Sequence, residues 1–434
     1  MAERQTTRDR RRLTATVTDL SVPRQRALLV ALAGGRTPAA VEASLAELGR
    51  LADTAGSDPV ASVLQQRLRP DPATYVGRGK AQELAADCAA LDIDVVVVDG
   101  ELSPGQQRNL QQAFGCDVVD RVALILDIFA QHATSREGMA QVELALLRYR
   151  LPRLRGRGAE MSRLAGGIGT RGPGESQLET DRRRVQQRIR ALESAIEGMR
   201  SNRETQRKAR VRSHLPGAAL VGYTNSGKSS LLNRLTGARV LVEDRLFSTL
   251  DTTTRKLALP SGGAALLSDT VGFLDHLPHQ LVEAFHSTLY EAVAAELLIH
   301  VVDAAAPDPD RQIAAVRDTL AEIGAGGHEE LLVANKADIA PAAAVDRLLA
   351  IHPGAVAVSA IKATGLEGLL EAIDGRLARA TVNLEILLPH ARGDLLAALH
   401  RSGDVISESH GPSGSRVTAR IPADQAAPFL PYAT

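Results

Sequence analysis

The stretch "AALVGYTNSGKSSLLNRLTG", residues 218–237, joins an apolar run to an amphipathic run through a glycine-containing turn. The run "AALV" is typical of a buried strand, and "SSLLNRLTG" carries its leucines at helical spacing. Between them, Gly222 and Gly227 are followed by Lys228 and Ser229 in the pattern G-x-x-x-x-G-K-S. A strand, this loop and a helix in succession are the context of a phosphate-binding loop, whose backbone N–H groups hold phosphates. The stretch therefore predicts an α/β domain that binds a nucleotide.

Two side chains of this loop have predicted chemical roles. Lys228 would reach the β- and γ-phosphate oxygens, and the Ser229 hydroxyl would coordinate Mg²⁺. The hydroxyl-rich segment "RLFSTLDTTTRKLAL" follows at residues 245–259. One of its threonines should complete the magnesium site and contact the γ-phosphate, so that the triphosphate orders the segment and hydrolysis releases it. The candidates are Thr249, Thr252, Thr253 and Thr254.

The stretch "LSDTVGFLDHLP", residues 267–278, contains Asp-x-x-Gly followed by phenylalanine. Asp269 would hold Mg²⁺ through water, and the Gly272 backbone N–H would meet the γ-phosphate. Phe273 stands where many such enzymes keep the glutamine that orients the attacking water. We expect slow hydrolysis unless another group is supplied, and a core-facing Phe273 ring is an alternative compatible with this. Two nearby side chains are weaker candidates for that group, His276 and His279.

A third motif identifies the base. The run "LLVANKADIA", residues 331–340, places Asn335-Lys336-x-Asp338 directly after an apolar strand. The Asp338 carboxylate can accept hydrogen bonds from the N1–H and the exocyclic amine of guanine, a donor pair that adenine lacks. Ser359 and Ala360 follow another strand, where a backbone N–H could meet the guanine carbonyl. The three motifs in this order predict a GTP hydrolase.

The pattern outside this domain changes along the chain. From residue 24 to 132, short β-branched runs alternate with helical patterns, which indicates βαβ units and a small parallel sheet. Within it, "TYVGRGKAQEL" places glycines and a lysine before a helix, either as an anion site or as a tight turn. The predicted fold class is α/β. Five segments are expected: a disordered basic tail at 1–20, a nucleotide-binding-like α/β domain at 21–133, an Arg-rich helical hairpin with a Gly-rich loop at 134–213, a P-loop GTPase domain with a mixed sheet and flanking helices at 214–380, and a small α+β domain at 381–434.

Charge is segregated along the chain. The full sequence of 434 residues has 51 Lys and Arg against 51 Asp and Glu. Residues 148–212 alone have eighteen basic against seven acidic side chains, so the rest of the chain is acidic by the same excess. Such a segment is expected to contact nucleic-acid phosphates, because each neutralised phosphate releases a counterion. A solvated helix pair with internal salt bridges is the alternative.

Other features exclude some classes of protein. The sequence has no run of about 18 apolar residues and no apolar stretch behind its basic N-terminus, so neither a membrane span nor a secretory signal is predicted. The two cysteines, Cys88 and Cys116, lack metal or redox spacing and are expected to be reduced core thiols. A cytoplasmic protein is therefore expected.

The chain resembles the HflX family of translation-factor-class GTPases, which associate with the large ribosomal subunit. The resemblance covers nearly the whole chain and rests on the motifs "YVGRGK", "GGIGTRGPGESQLETDRRR", "VGYTNSGKSSLLN", "FSTLDTTTR", "DTVGFLDHLPHQLVEAF", "NKAD" and "SAIKATG". One departure is Asp251-Thr252, where relatives usually have Asp-Pro. It makes this segment less stiff without removing a ligand.

The resemblance implies a set of GTP contacts. Ser229 and Thr249 would be the magnesium ligands, and Lys228, Thr249 and Gly272 would act in catalysis. The implied GTP contacts are Gly222, Tyr223, Thr224, Asn225, Ser226, Gly227, Lys228, Ser229, Phe247, Ser248, Thr249, Leu250, Asp251, Asp269, Thr270, Val271, Gly272, Asn335, Lys336, Ala337, Asp338, Ser359, Ala360 and Ile361.

The resemblance also implies a function on the ribosome. A monomer would bind the large subunit and its rRNA, with the N-terminal domain and hairpin near the peptidyl-transferase centre. Ribosomes would stimulate GTP hydrolysis, in rescue, splitting or recycling of stalled or hibernating ribosomes. Two alternatives remain open from the sequence. The chain could use ATP to remodel rRNA as a helicase-like enzyme, or be an RNA-binding adaptor whose nucleotide only stabilises the fold.

Overall fold

The alternating patterns of the N-terminal part form a parallel sheet in the computed structural model of the protein. Its strands are β1 (Gln25–Leu32), β2 (Ser57–Gln65), β3 (Val95–Val98) and β4 (Asp117–Asp120). The strand order is β2-β1-β3-β4, and every neighbouring pair is parallel. The accompanying helices are α1 (Pro38–Thr54), α2 (Arg78–Ala90), α3 (Pro104–Phe114) and α4 (Arg121–His132). The predicted small parallel α/β sheet is confirmed.

Local sequence explains these elements. The four valines of β3 are all buried, as expected of a central strand covered on both faces. Helix α3 begins at a capping box, in which the Ser103 hydroxyl accepts from the Gln106 N–H and the Gln106 side chain accepts from the Ser103 N–H. It ends at Gly115 in the left-handed conformation. Capping and strand hydrophobicity thus set the element boundaries.

The structure describes residues 24–154, 177–211, 215–237, 246–247, 253–274, 286–379, 381–422 and 426–434. The basic tail expected at 1–20 and the glycine-rich loop of the hairpin lie outside these ranges. The chain divides into two compact units, with the boundary between Ile125 and Leu126. The finer division into five segments stays a prediction.

Two charged helices follow the first sheet. They are α5 (Arg136–Arg150) and α6 (Gln177–Val211), with a short 3-10 turn at Leu151–Leu154. Arg188 of α6 donates two hydrogen bonds of 2.7 Å to the Glu143 carboxylate of α5. Arg148 pairs with Glu193 at 2.8 Å. The ion pairs of the alternative interpretation thus join the helices, while contact with nucleic acid stays a prediction.

A six-stranded mixed sheet carries the phosphate-loop motif. Its strand order is β10-β9-β8-β5-β7-β6, and only the β6–β7 pair is antiparallel. The strands are β5 (Gly217–Val221), β6 (Thr253–Ala258), β7 (Ala264–Asp269), β8 (Leu297–Asp303), β9 (Glu329–Asn335) and β10 (Val356–Ala357). The helices are α7 (Lys228–Thr236), α8 (His286–Ala294), α9 (Pro309–Glu322), α10 (Ala342–Ile351) and α11 (Leu366–Arg379). Three motif segments therefore leave the carboxyl ends of β5, β7 and β9, which meet at one edge.

The chain ends in a small α+β unit, as predicted. Strands β11 (Thr381–Leu388), β12 (Asp404–Gly411) and β13 (Gly414–Pro422) form an antiparallel sheet in the order β11-β13-β12. Helix α12 (Gly393–Ser402) buries Leu399 against this sheet. None of the helices in the described part of the chain has the length and apolar character needed to cross a membrane.

A buried ion cluster lies within the first unit. Arg121 donates to the Asp99 carboxylate at 3.0 Å and pairs with Glu47, and all three side chains are nearly buried. Asp99 also accepts a 2.6 Å hydrogen bond from the Ser44 hydroxyl. The carboxylates depend on the guanidinium, because unpaired buried charge is costly.

We predict that Arg121→Met lowers the free energy of unfolding of this unit by about 3–5 kcal/mol, because Glu47 loses its cation and Asp99 keeps only the longer 3.5 Å pair with Arg36. Urea denaturation followed by circular dichroism would measure it. Arg24→Met is the matched control, since Arg24 and Asp53 form an exposed pair, and we expect a loss below about 1 kcal/mol. Equal effects of the two substitutions would contradict the prediction.

Candidate nucleotide-binding site

The phosphate-loop motif turns tightly between β5 and α7. A Cβ atom at Gly222 would lie 2.2 Å from the Val301 carbonyl oxygen of β8. A Cβ at Gly227 would lie 2.3 Å from Asn335 Nδ2, and the Gly227 φ of +92° also favours glycine. Gly222 is thus required by the approach of the β8 backbone, and Gly227 by the approach of the Asn335 side-chain amide.

The buried side chain of Lys228 binds the backbone of the phosphate loop. Its Nζ donates to the carbonyl oxygens of Gly222 at 3.1 Å and Tyr223 at 2.9 Å. Burial lowers the pKa of Lys228 to about 8, while the nearby Asp269 carboxylate acts in the opposite direction. A buried ammonium whose hydrogen-bond acceptors are neutral carbonyls would be further stabilised by added negative charge, as polyphosphate oxygens provide.

Two hydroxyls of the loop are also placed for a polar ligand. The side-chain oxygens of Thr224 and Ser226 are buried and have no hydrogen-bond partner among the described residues. A buried hydroxyl without a partner costs free energy, so such groups commonly mark a site that a ligand completes. Their position inside the phosphate-loop motif fits phosphate binding.

The structure tests the expected magnesium site through Ser229 and Asp269. The Ser229 hydroxyl donates a 2.6 Å hydrogen bond to Asp269 Oδ2, so the first turn of α7 and the end of β7 present two oxygen ligands together. Mg²⁺ prefers hard oxygen ligands of this kind, completed by waters and phosphate oxygens. The donors therefore fit the metal. The other ligand implied, Thr249, lies outside the described residues, as do Thr252, Ser248, Leu250 and Asp251.

The Asp-x-x-Gly segment is tied to the phosphate loop by its backbone. The Phe273 N–H donates to the Gly222 carbonyl at 3.1 Å, and the Thr224 N–H donates to the Phe273 carbonyl at 2.8 Å. A Cβ at Gly272 would come within 3.2 Å of Lys228 Nζ. The loop and this segment thus form one surface around the lysine. The Thr270 side chain faces away from it and donates to the Leu220 carbonyl.

The Phe273 ring is fully buried in the GTPase core. The structure thus confirms the core-facing interpretation of this residue, and the ring cannot orient water at the site. His276 and His279 lie outside the described residues. Within the described part of the Asp-x-x-Gly segment, no side chain replaces the glutamine found in many related enzymes.

Phe247 begins the hydroxyl-rich segment in an unusual conformation. Its φ is +60°, a region that non-glycine residues seldom adopt. Its buried ring packs edge-on against Phe129 of α4, with 4.5 Å between ring centroids. Any contact of Phe247 with a nucleotide would therefore be made by its backbone. No pattern in the sequence indicated Phe129, because the two residues are far apart along the chain.

The base-recognition motifs meet beside the loop. Asn335 Nδ2 donates to the Ser226 carbonyl at 2.8 Å, and the Ala360 N–H donates to Asn335 Oδ1 at 3.1 Å. Asp338 is exposed, as a carboxylate that reads a base must be. The structure brings together the described members of the predicted set. In that set the Ala337 N–H donates to the Val358 carbonyl, Ser359 is buried, and Ile361 is exposed.

Two residues that support the site were not predicted from the sequence, Asp303 and Arg234. Lys336 has a φ of +62° and its ammonium pairs with Asp303 Oδ2 at 2.7 Å, which fixes the turn of the Asn-Lys-x-Asp motif. Asp303 ends β8 in "LLIHVVD", directly beside β9, so its place at the strand end was a usable signal. Arg234 binds two carbonyls of the Ala360–Ile361 segment, and no local pattern indicated it.

A phosphate loop, a Ser–Asp pair fit for magnesium, an Asp-x-x-Gly segment and a guanine-type motif on one sheet edge define a P-loop GTPase. Three family models match the chain: "GTP-binding GTPase N-terminal" over residues 42–130, "GTP-binding GTPase Middle Region" over 132–210, and "50S ribosome-binding GTPase" over 217–336. The chain belongs to the GTPase HflX family, as the sequence resemblance indicated, and it is a GTP hydrolase.

Relatives match over most of the chain. The GTPase HflX of Caldanaerobacter subterraneus is 45% identical over 93% of this chain and 92% of its own length. That of Escherichia coli is 42% identical over 86% of this chain and 88% of its own length. Among solved structures, a GTP-binding protein from Sulfolobus solfataricus in complex with GDP is 26% identical. It covers 82% of this chain and 99% of its own, with a TM-score of 0.42.

We predict that Gly227→Ala weakens GDP binding by at least about 100-fold, since the added Cβ collides with the Asn335 amide and strains the backbone. Fluorescence titration with a labelled GDP would measure the dissociation constant. Gly237→Ala is the matched control, because Gly237 also has a positive φ, at the other end of α7, but has no atom within 4 Å of its Cβ position. Equal weakening by both variants would contradict the steric explanation.

A pH effect follows from the lowered pKa of Lys228. Below about pH 8 the lysine is already charged without nucleotide, and above it the free protein has lost the proton that bound phosphate would favour. We therefore predict that GDP binding takes up more protons at pH 8.5 than at pH 7. Calorimetry in buffers of different ionisation enthalpy would measure the uptake. A constant proton uptake over this range would show that Lys228 does not titrate on binding.

Proposed function

We propose that this protein is a cytoplasmic, monomeric GTPase that binds the large ribosomal subunit and its rRNA, and that its GTP hydrolysis is stimulated there. It would use Mg²⁺ and act in rescue, splitting or recycling of stalled or hibernating ribosomes. Relatives named GTPase HflX and a family model described as 50S ribosome-binding GTPase support this proposal.

The buried Phe273 ring is the observation that carries the proposal. Phosphoryl transfer requires an oriented water and stabilisation of developing charge, with little covalent chemistry. Lys228 and the magnesium ligands can supply charge, whereas the described Asp-x-x-Gly segment supplies no side chain to hold the water. Such a site hydrolyses GTP slowly by itself and needs order or a group from a partner, as other GTPases obtain from activating proteins.

The charge distribution supports RNA as part of that partner. Helix α6 exposes Arg183, Arg184 and Arg190 within the segment that has an excess of basic residues. Arg188 of the same helix pairs with Glu143 of α5, and the exposed Arg184 also lies 3.6 Å from the Asp181 carboxylate. Exposed arginines can form bidentate bonds with phosphate groups, and a surface of this kind binds nucleic acid in a salt-dependent way.

In the mechanism that we propose, the phosphate loop and Lys228 hold the β- and γ-phosphates, and Asp338 reads the guanine. Ser229 would hold Mg²⁺ directly and Asp269 would hold it through water, and the metal would supply positive charge beside the phosphate oxygens. Gly272 would offer its N–H to the γ-phosphate. Loss of the γ-phosphate would release this contact and change the conformation of the attached segments.

We predict that GTP turnover is at least about 10-fold faster with purified large subunits than without them. This factor is smaller than the acceleration that activating proteins give when they supply a catalytic group to other GTPases. Phosphate release measured with large subunits, small subunits or neither would test this. Reversing the charges at Arg183, Arg184 and Arg190 to Glu should weaken the stimulation, and Lys at the same positions is the matched control. Equal turnover with and without large subunits would overturn the proposal.

The alternative of ATP-dependent RNA remodelling is not favoured. The matching family models and relatives are described as GTP-binding proteins or GTPases, and the carboxylate of Asp338 suits guanine. Displacement of labelled GDP by a moderate excess of ATP would reopen this alternative.

A further inference from the structure

Arg234 joins the loop at Ser359 to Ile361, the base loop, to the helix that follows the phosphate loop. It lies on α7, six residues after Lys228. Its Nε donates to the Ala360 carbonyl at 2.9 Å, and its Nη2 donates to the Ile361 carbonyl at 2.9 Å. The planar fork of one guanidinium therefore holds two successive peptide groups, a geometry that a lysine ammonium cannot reproduce.

The same segment is held from the opposite side. The Ala360 N–H donates to Asn335 Oδ1, while Asn335 Nδ2 donates to the Ser226 carbonyl of the phosphate loop. Ala360 is thus bound through both its N–H and its carbonyl oxygen. The two bonds lead back to the phosphate loop by separate routes, one through Asn335 and one through Arg234 and α7. The distance between phosphate loop and base loop is fixed by this closed ring of hydrogen bonds.

This ring leaves the base-facing groups available. Arg234 binds carbonyl oxygens and Asn335 accepts from the Ala360 N–H, whereas Asp338 and the Ile361 side chain are exposed. A loop that discriminates bases must hold its backbone in one place, because a displacement of about 1 Å disrupts hydrogen-bond geometry. Removing Arg234 would free the outer half of the loop and leave the Asn335 contact in place.

We propose that Arg234 is a positioning residue for base selectivity: by holding the Ala360 and Ile361 carbonyls against α7, it keeps the base loop at the distance from the phosphate loop that guanine requires. The proposal rests on the guanine-binding function proposed above. It adds a residue that touches neither the base nor the phosphates. Arg234 acts on ground-state binding of the base, so its removal affects affinity more than the chemical step.

The test compares Arg234→Met with the wild-type protein. We expect the KM for GTP and the Kd for GDP to rise about 10-fold, from loss of two charge-assisted hydrogen bonds, while kcat changes less than about twofold. We also expect the ratio of the Kd for ADP to the Kd for GDP to fall about 10-fold. Titration calorimetry and steady-state hydrolysis would give these values.

Arg376→Met is the matched control. Arg376 also donates to two backbone carbonyls of the same domain, Glu330 at 2.8 Å and Gly354 at 3.3 Å, away from the base loop. It should lower thermal stability and leave the ADP-to-GDP ratio unchanged. A fall of this ratio in Arg376→Met as large as in Arg234→Met would overturn the proposal, because selectivity would then follow stability alone.

Arg234→Lys keeps the test decisive if Arg234→Met folds poorly. Lysine retains the charge and can reach one carbonyl, so we expect a Kd between those of the wild type and Arg234→Met. Wild-type selectivity in both Arg234 variants would overturn the positioning role and leave the GTPase proposal intact. A wild-type protein that binds ADP as tightly as GDP would instead overturn the proposed guanine site itself.

Discussion

The side-chain amide of Asn335 joins the two halves of the nucleotide site. Its Nδ2 donates to the phosphate loop at Ser226, and its Oδ1 accepts from the base loop at Ala360. The space for this amide depends on Gly227, because a Cβ atom at that position would overlap the amide. Because the amide is buried, both bonds are made in a low-dielectric interior, where a lost partner is costly. The relative position of the phosphate loop and the base loop therefore depends on this residue at the end of β9, together with Arg234.

The other contacts of the site extend this constraint. Phe273 exchanges two backbone hydrogen bonds with the phosphate loop, so the γ-phosphate sensor moves with the loop. The burial of its ring stabilises the core and leaves the orientation of the attacking water to another group. In the described residues, the Asp-x-x-Gly segment supplies no side chain that orients water, which suits the proposed switch whose timing a partner controls. A site that holds the nucleotide through many groups can thus accompany the slow intrinsic GTP turnover that we propose.

Much of the architecture could be predicted from the sequence because the signals are local. The alternation around β1 to β4, the charged helices α5 and α6, and the strand-loop-helix at Gly222 to Ser229 each depend on neighbouring residues. The Asp-Pro to Asp251-Thr252 departure and Thr249 lie outside the described residues, so the threonine that binds metal stays a prediction. For Phe273, the sequence left two compatible interpretations. Burial confirmed the core-facing ring, which depends on strands brought together by the fold.

The sequence by itself determined the α/β class, the order of the motifs and the candidate nucleotide-binding residues, because each motif places its backbone groups within a few consecutive residues. Only the tertiary structure decided which residues support them. Arg234 reaches Ala360 across 126 positions of the chain, and Lys336 finds Asp303 on the neighbouring strand. Phe129 packs against Phe247 although no spacing relates them. Such contacts follow from strand order and side-chain packing, which join distant residues that no local periodicity connects.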